Sequence, residues 1–277
     1  MKIPAYPAHV EPNPHRGVLF PARLPTFARL PPPASVETLV RHFWIPEWHV
    51  EPGRVSRQHI LGYPACNLAV EPDLVGLAGP ATVRSHRDLT GRGWTVGAML
   101  WPAAAAALTD DPAAIRDRYV EVDAPDLHSA VSEAMTSDQP TSRRHAAAVT
   151  VFADWLAGRC GEPDEQGLLA NELVRLAESD RDVLTTADLA ARLAVSERTL
   201  QRLARRYVGL SPSAVIRRRR LQESAERLRG VAPEDERATI AEIAAELGYA
   251  DHAHLTRDFR AVVGWTPRTY RRQAGSD

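Results

Sequence analysis

Apolar residues recur at helical spacing in two stretches near the end of the chain. At about 100° of rotation per residue, the apolar positions of each stretch fall on one side of a helix and polar positions fall on the other. The apolar positions are Leu200, Leu203 and Tyr207 in the first stretch and Leu255, Phe259 and Val262 in the second. Both stretches are therefore predicted to be helices that pack through one face.

These helices belong to a sequence unit that is written twice. Leu200, Arg202 and Gly209 each have a counterpart 55 residues later. Before the middle leucine the offset is 54, because the second copy has a turn that is one residue longer. In each copy a shorter apolar helix comes before the turn. Each unit is thus predicted to be two helices joined by a tight turn.

Residues that favour helix ends agree with these boundaries. Thr185 or Thr186 suits the N-cap of the first helix, and Ser196 suits that of the next. Each second helix ends at a glycine, Gly209 or Gly264, which suits the left-handed C-terminal cap. A serine-proline or threonine-proline pair then starts the following helix.

A short helix, a tight turn and a second helix with a polar outer face form a helix-turn-helix, whose second helix can enter a DNA major groove. Arginine there can bind guanine, glutamine can pair with adenine, and threonine can contact a thymine methyl group. Residues 212–229 between the units are predicted to form one helix of about 27 Å, comparable with the roughly 34 Å between successive major-groove faces. The outward residues are Arg198, Gln201, Arg202 and Arg205 of helix 196–207 and Ala253, Thr256, Arg257 and Arg260 of helix 251–262.

Residues from about 168 to 272 resemble the DNA-binding domain of AraC/XylS-type transcriptional regulators. The resemblance implies promoter DNA and RNA polymerase as partners, and one departure is the long acidic link 230–238, which is predicted to loop out. The matching positions are Ser196, Leu200, Gln201, Arg202, Arg220, Ala225, Leu228, Ile243, Ala244, Gly248, Tyr249, Leu255, Arg257, Phe259, Gly264, Thr266, Pro267, Tyr270 and Arg271. By resemblance, the base-facing residues are Arg198, Gln201, Arg202, His252, Ala253, Thr256 and Arg257.

Charge is distributed unevenly, although the net charge is only -1. Residues 185–277 contain 17 arginines and 12 acidic residues, a net charge of +5, whereas residues 1–184 contain 17 basic and 23 acidic residues, a net charge of -6. The positive part carries the repeated unit, as neutralisation of phosphates requires. Two cysteines are too few for a disulfide framework, and no signal peptide or membrane span is evident, so a cytoplasmic protein is expected.

The first part of the chain has a different pattern. Nine prolines in residues 1–33 exclude a regular helix and predict a tail across the next domain, anchored at residues 16–20. Short apolar runs between residues 36 and 101, broken by proline and glycine, predict antiparallel strands of a sandwich or small barrel. The resemblance implies a cupin-like sensor barrel here. The predicted class is therefore α+β, with a β-barrel or cupin-like domain followed by an all-α domain that carries two helix-turn-helix motifs.

Helices are predicted after the strands, two short ones that begin on proline and three longer ones. They cover residues 102–108, 112–118, 126–135, 143–159 and 165–178. Helix 143–159 has an apolar stripe that suits packing within the chain, a linker or a dimer surface. The predicted regions are a Pro-rich tail at 1–35, a β-rich sensor domain at 36–125, a helical linker or dimerisation region at 126–164 and a DNA-binding domain at 165–277.

Aromatic residues of the strand region are candidates for a small-molecule site. A barrel interior lined by them suits a small aromatic or amphipathic effector, although tryptophan is more often a core residue. The histidines of this region lack close ligand spacing, so no metal or cofactor is predicted. Cys66 is interpreted as a small buried residue rather than a redox sensor. The effector candidates are Trp44, Trp48, Tyr63 and Trp94, and the histidines are His42, His49, His59 and His86.

Arg217 to Arg220 form a run of four arginines on the connecting helix. Four consecutive helical residues point round more than a full turn, so at least one must face inward, and Arg220 is the best candidate for a structural ion pair. For the run as a whole, contact with DNA phosphates and packing inside the protein are equally open.

The leading hypothesis is a transcriptional regulator, governed by an effector or by self-association through its N-terminal domain. No Ser/His/Asp arrangement, Walker loop or dinucleotide fingerprint is present, so no catalytic residue is assigned. The alternative is a cupin-like metalloenzyme or a cysteine-based DNA repair protein joined to a DNA-binding module. An architectural DNA binder without an effector is a third hypothesis.

Overall fold

A computed structural model describes residues 17–21, 25–230 and 238–275. Within these ranges, an antiparallel sheet and a separate two-stranded ribbon are followed by a helical part, which confirms the predicted α+β class. The strands are β1 (Thr26–Leu30), β2 (Val40–His49), β3 (Ser56–Ile60), β4 (Asn67–Val70), β5 (Val75–Ala78), β6 (Ser85–Leu89), β7 (Arg92–Trp94), β8 (Val96–Leu100) and β9 (Tyr119–Glu121).

The large sheet has the strand order β1-β2-β8-β4-β5-β9, and β7 pairs with the C-terminal end of β2. Strands β3 and β6 form the separate ribbon. Among the described strands, no strand of the ribbon pairs with a strand of the large sheet, so hydrogen bonding does not close the two into a barrel. Strand β1 lies where an irregular tail was predicted, and that prediction is wrong for Thr26–Leu30. These residues contain no proline, so they can pair along the edge of the sheet with β2.

The helices follow the predicted order with one difference, at residues 112–118. Successive turns replace the predicted helix there, because the Ile115 carbonyl lies directly over Gly79 and the segment runs straight into β9. The predicted tail at 1–16 and 22–24 and the predicted loop at 231–237 lie outside the described residues. The helices are α1 (Pro102–Leu108), α2 (Pro125–Thr136), α3 (Thr141–Cys160), α4 (Glu165–Ser179), α5 (Thr186–Arg192), α6 (Glu197–Leu203), α7 (Pro212–Leu228), α8 (Ile240–Glu246), α9 (His252–Val263) and α10 (Pro267–Ala274).

The core of the N-terminal part lies between the large sheet and helices α2 and α3. Phe43 and Ile45 of β2 are fully buried, and the Phe43 ring meets the ring of Phe152 on α3 at a centroid distance of 5.6 Å. The apolar stripe of α3 therefore packs on the sheet within the chain. Side chains alternate along β2, so Trp44 and Trp48 face the other side of the sheet.

The helical part is divided between two hydrophobic clusters. The first contains the apolar faces of α4, α5 and α6 and the first half of α7, including Val215 and Ile216. The second contains α8, α9 and α10 and the second half of α7, including Leu221. Leu19 and Phe20 of the N-terminal part belong to this second cluster. Each repeated unit thus has its own core, and α7 joins them.

Residues 17–20 are anchored, as predicted for residues 16–20. Leu19 donates its backbone N–H to the His59 carbonyl at 3.0 Å, and Leu61 donates to the Gly17 carbonyl at 2.8 Å. Leu19 and Phe20 are buried. Across the described ranges, every helix is too short or too polar to cross a bilayer.

Candidate DNA-reading helices and ligand cavity

Local capping positions α6, the first of the two candidate reading helices. Thr185 caps α5 in a capping box with Asp188, and Ser196 caps α6 by accepting the Thr199 N–H at 3.1 Å. After α6 the chain continues through a π-helical turn (Ala204–Val208) to Gly209, which has a φ of 74°. These features agree with the predicted boundaries of the first unit.

The outer face of α6 is free for contact with another molecule. Its apolar residues, including Leu200, are buried in the first cluster, so the polar residues point outward. The candidate residues Arg198, Gln201 and Arg202 of α6 are exposed, and so is Arg205 in the π-helical turn that follows.

The second reading helix, α9, repeats this arrangement. Asp251 caps it by accepting the His254 N–H at 2.6 Å, and this backbone hydrogen bond lowers the pKa of the Asp251 carboxyl group. Leu255 and Phe259 are fully buried, and the helix ends at Gly264 with a φ of 82°. On the outer face His252, Arg257 and Arg260 are exposed, while Ala253 and Thr256 are half-buried.

An ion pair ties the second reading helix to the connecting helix. The Arg217 guanidinium donates to both carboxylate oxygens of Asp258, at 2.9 and 2.8 Å. Asp258 lies on α9 beside Arg257, so this bidentate pair orients the reading face. The sequence contained no signal for it, because the two residues are 41 positions apart.

The other three arginines of the run also bind protein groups. Arg218 donates to the Ala81 carbonyl at 2.7 Å, and burial lowers its pKa to about 10. Arg219 donates to the Val183 carbonyl at 2.9 Å. The prediction that Arg220 forms an ion pair is wrong, since its guanidinium lies 3.8 Å from the centre of the Tyr249 ring. Each arginine of the run is therefore engaged within the protein.

Comparison with known proteins agrees with this geometry. A family model described as a helix-turn-helix domain matches residues 189–273, which span both units and the connecting helix. The activator RhaS of Escherichia fergusonii is 30% identical over 111 residues, covering 40% of this chain and 38% of RhaS. A Streptomyces lividans protein assigned as an AraC-like transcription regulator is 34% identical over 118 residues, covering 43% of this chain and 36% of that protein. Residues 189–273 are therefore a helix-turn-helix domain, and the chain is similar to AraC-like transcription regulators.

These two relatives match less than half of this chain. The chain spans little more than a third of the length of these curated relatives, 38% and 36%. A second family model, for a domain of unknown function (DUF6597), matches residues 28–121. A solved structure of ToxT from Vibrio cholerae covers 84% of this chain and 99% of its own at 11% identity and a TM-score of 0.45. A likeness of that size supports no functional argument.

In the N-terminal part of the chain, a cavity of about 480 Å³ separates the large sheet from the ribbon. Trp44 and Trp48 form its floor, since a Cβ atom at Gly97 or Gly93 would lie only 2.1 or 2.4 Å from their rings. The Trp44 Nε1–H donates to Asn67 Oδ1 at 3.1 Å. Because both tryptophans lie over glycines, each ring packs against the sheet on the side of the cavity.

Three of the four effector candidates line this cavity, namely Trp44, Trp48 and Tyr63. Trp94 does not, and its assignment to the site is wrong: it packs against the core on the other face of the sheet. Trp94 is the cross-strand partner of Glu47 on β2, and the Glu47 side chain faces α3. Because directly paired residues point to the same face of a sheet, Trp94 faces α3 as well.

Two acidic residues of the cavity wall are held by partners within the protein. Glu71 forms an ion pair with Arg87 and accepts the Tyr119 hydroxyl at 2.7 Å. Asp117 accepts the Thr82 N–H at 2.6 Å. Both acids therefore stabilise the wall, and sequence reasoning identified neither.

The histidines and cysteines of the N-terminal part occupy ordinary structural positions. Among the described residues, histidine, cysteine and acidic side chains form no group of three that could hold a metal ion. His59 and His86 are cross-strand partners in the ribbon, and His42 is buried beside Tyr63. Burial raises the pKa of the Cys66 thiol to about 12, which disfavours the reactive thiolate.

Proposed function

We propose that the protein is a sequence-specific transcriptional regulator that reads two adjacent DNA major grooves with α6 and α9. The observation that supports this most is the equivalence of the two outer faces. Arg202 and Arg257 occupy matching positions of the repeated unit and both are exposed. Arginine in such a position can donate two parallel hydrogen bonds to one guanine.

Charge supports the same function. Residues 185–277 carry a net charge of +5, from 17 arginines and 12 acids, so the domain attracts the phosphate backbone. The relative RhaS is described as a transcriptional activator, and on that basis we extend the proposal to an activator. The resemblance to AraC/XylS-type regulators implies RNA polymerase as its partner. A homodimer is part of the proposal as a means of regulation.

The test is the affinity of two single variants for a duplex that the wild-type protein enriches from a random DNA pool. Arg202→Ala and Arg257→Ala should each weaken specific binding by about 1 to 3 kcal/mol, because each removes base contacts in one groove. Arg143→Ala is the matched control, since Arg143 is exposed on α3. Binding is measured by fluorescence anisotropy at fixed salt, and unchanged affinity in both variants would refute the groove assignment.

The cavity supports regulation by a small molecule. An aromatic floor and a volume of about 480 Å³ suit a flat, apolar or amphipathic effector with a few polar groups. Such a ligand would stack on Trp44 and Trp48, and Tyr63 would close one side of its site. The architectural binder without an effector is less well supported, because it gives this cavity no role.

The repair-enzyme alternative is also less well supported. A thiol that accepts an alkyl group must ionise, and burial raises the pKa of Cys66 to about 12. Cys66 lies in the core of the N-terminal part, where DNA has no access to it. The regulator is therefore the function that we propose.

A further inference from the structure

The N-terminal part contacts the glycine that ends each reading segment, Gly209 after the π-helical turn that follows α6 and Gly264 after α9. At Gly209, a Cβ atom would lie 2.7 Å from the backbone of Pro112 and Ala113, and Arg116 Nη2 donates to the Gly209 carbonyl at 3.1 Å. At Gly264, a Cβ atom would lie 3.0 Å from Arg84 Nε. Gly209 and Gly264 are equivalent positions of the repeated unit, so two separate contacts hold the same point of each copy.

The two contacting segments are joined to each other. We call residues 79–84 and 112–118 together the bracket. Gly79 donates its N–H to the Arg118 carbonyl at 2.9 Å, and Thr82 donates its N–H to Asp117 at 2.6 Å. A Cβ atom at Gly79 would lie 1.9 Å from the Ile115 carbonyl oxygen, so the segments are in direct contact. They therefore form one continuous piece between the caps of α6 and α9.

The middle of the bracket holds the connecting helix. Arg218 of α7 is buried and donates to the Ala81 carbonyl at 2.7 Å. The charge of Asp117 favours the protonated guanidinium there, against the effect of burial. The bracket thus attaches to α6, α7 and α9, the three elements that decide where the reading faces lie.

The attachment at the second unit is extensive. Arg84 donates its backbone N–H to the Val262 carbonyl at 2.8 Å, and its guanidinium lies 4.1 Å from the centre of the Trp265 ring. His59 of the ribbon meets the same ring edge-on at 5.2 Å. Tyr270 on α10 donates its hydroxyl to the Leu19 carbonyl at 2.6 Å.

The two units need such an attachment because they do not share a core. The apolar faces of α5 and α6 lie in one hydrophobic cluster, and those of α8 and α9 lie in another. Among the described residues of the helical part, α7 is the element that contributes to both clusters. A single helix leaves its two ends free to bend and twist by small amounts, and a second connection limits this movement.

Resting on the DNA-reading function proposed above, we propose that the bracket is a positioning element. It sets the relative orientation of α6 and α9 and hence the spacing between half-sites that the protein accepts. Ala81, Val83, Arg84 and Asp117 of the bracket also line the cavity. A ligand that moves this wall therefore changes the preferred spacing rather than the reading of either half-site.

The experiment compares duplexes with the selected spacing and duplexes with one or two base pairs inserted between the half-sites. The spacing ratio is the affinity for the selected spacing divided by the affinity for the longer spacing. In the double variant Arg84→Ala/Arg116→Ala, this ratio should fall by about 5-fold or more, which is the lower end of the coupling factors usual between two sites. Affinity for a duplex with a single half-site should stay within about 2-fold, because the reading faces are intact. Arg54→Ala in the exposed turn before β3 is the control and should keep the wild-type ratio.

A second variant tests the bracket without touching either unit. Thr82→Val removes the side-chain hydrogen bond to Asp117 and should lower the spacing ratio in the same direction. A wild-type ratio in both the double variant and Thr82→Val overturns the positioning role, whatever the affinity. A wild-type protein that enriches no DNA sequence overturns the proposed function itself, which is a different outcome.

Discussion

Substitution of Glu178 by glutamine should destabilise the protein strongly. Arg41 on β2 and Glu178 on α4 form an ion pair whose side chains are only 4% and 5% exposed. Arg41 Nη1 donates to Glu178 Oε1 at 3.1 Å, and the guanidinium also lies 4.8 Å from the Tyr63 ring and 5.0 Å from the Trp101 ring. Glu178→Gln keeps the shape of the side chain but removes its charge, so the buried Arg41 guanidinium loses the attraction of this carboxylate.

The expected cost follows from this burial. Breaking a buried pair by removing one partner costs about 3 to 5 kcal/mol, because desolvation of the remaining charge is no longer compensated. The double variant Arg41→Met/Glu178→Leu should recover most of this loss, since an apolar pair of similar size has no charge to desolvate. Asp88→Asn is the control and should leave stability unchanged, because its ion pair with Arg57 is exposed.

The assay is equilibrium unfolding in urea, followed by both far-ultraviolet circular dichroism and tryptophan fluorescence. Two probes are needed because a chain with several hydrophobic cores can unfold in more than one step. If the free energy of unfolding of Glu178→Gln lies within about 0.5 kcal/mol of the wild-type value, the substitution has no larger effect than an ordinary surface substitution. The reasoning that an uncompensated desolvation cost follows from removing one charge of this pair would then be wrong.

Two further predictions concern pH and the cavity. Hydrogen bonds from Thr185 lower the pKa of Asp188, and hydrogen bonds from Thr239 lower that of Glu242. Their stabilisation is complete above the ordinary carboxyl pKa of about 4 and is lost as the pH falls through the lowered values. Between pH 6 and pH 3, the wild type should lose more free energy of unfolding than Asp188→Asn/Glu242→Gln, and equal losses would contradict this. The fluorescent probe 8-anilinonaphthalene-1-sulfonate should bind the Trp44→Leu variant more weakly than the wild type by about 0.5 to 1.5 kcal/mol, because one aromatic contact is lost. The control variant Trp94→Leu should bind the probe as the wild type does, since Trp94 does not line the cavity.

The reading helices could be predicted from the sequence because their signals are local. Caps such as Ser196 and the left-handed Gly209 and Gly264 act within one or two turns of the helix they end. An amphipathic face is likewise a property of consecutive residues, so the burial of Leu200 and the exposure of Arg202 follow from their spacing.

The errors arose where a partner comes from a distant part of the chain. The run Arg217–Arg220 indicated charge but not direction, and one partner of these residues, Ala81, lies 137 positions from Arg218. Trp94 has the residue type of a cavity residue, yet its pairing with Glu47 turns it toward the core. Strand β1 escaped prediction because prolines flank it on both sides and its partner β2 decides its conformation.

The sequence by itself determined a repeated pair of helix-turn-helix units with exposed arginine faces, since periodicity and helix caps depend on neighbouring residues. Tertiary structure alone decided which tryptophans share a cavity, where the four arginines bind, and how the bracket connects the caps of α6 and α9. The physical reason is that these contacts join residues tens to hundreds of positions apart. Their geometry depends on how sheets and helices pack, which no local pattern of residues specifies.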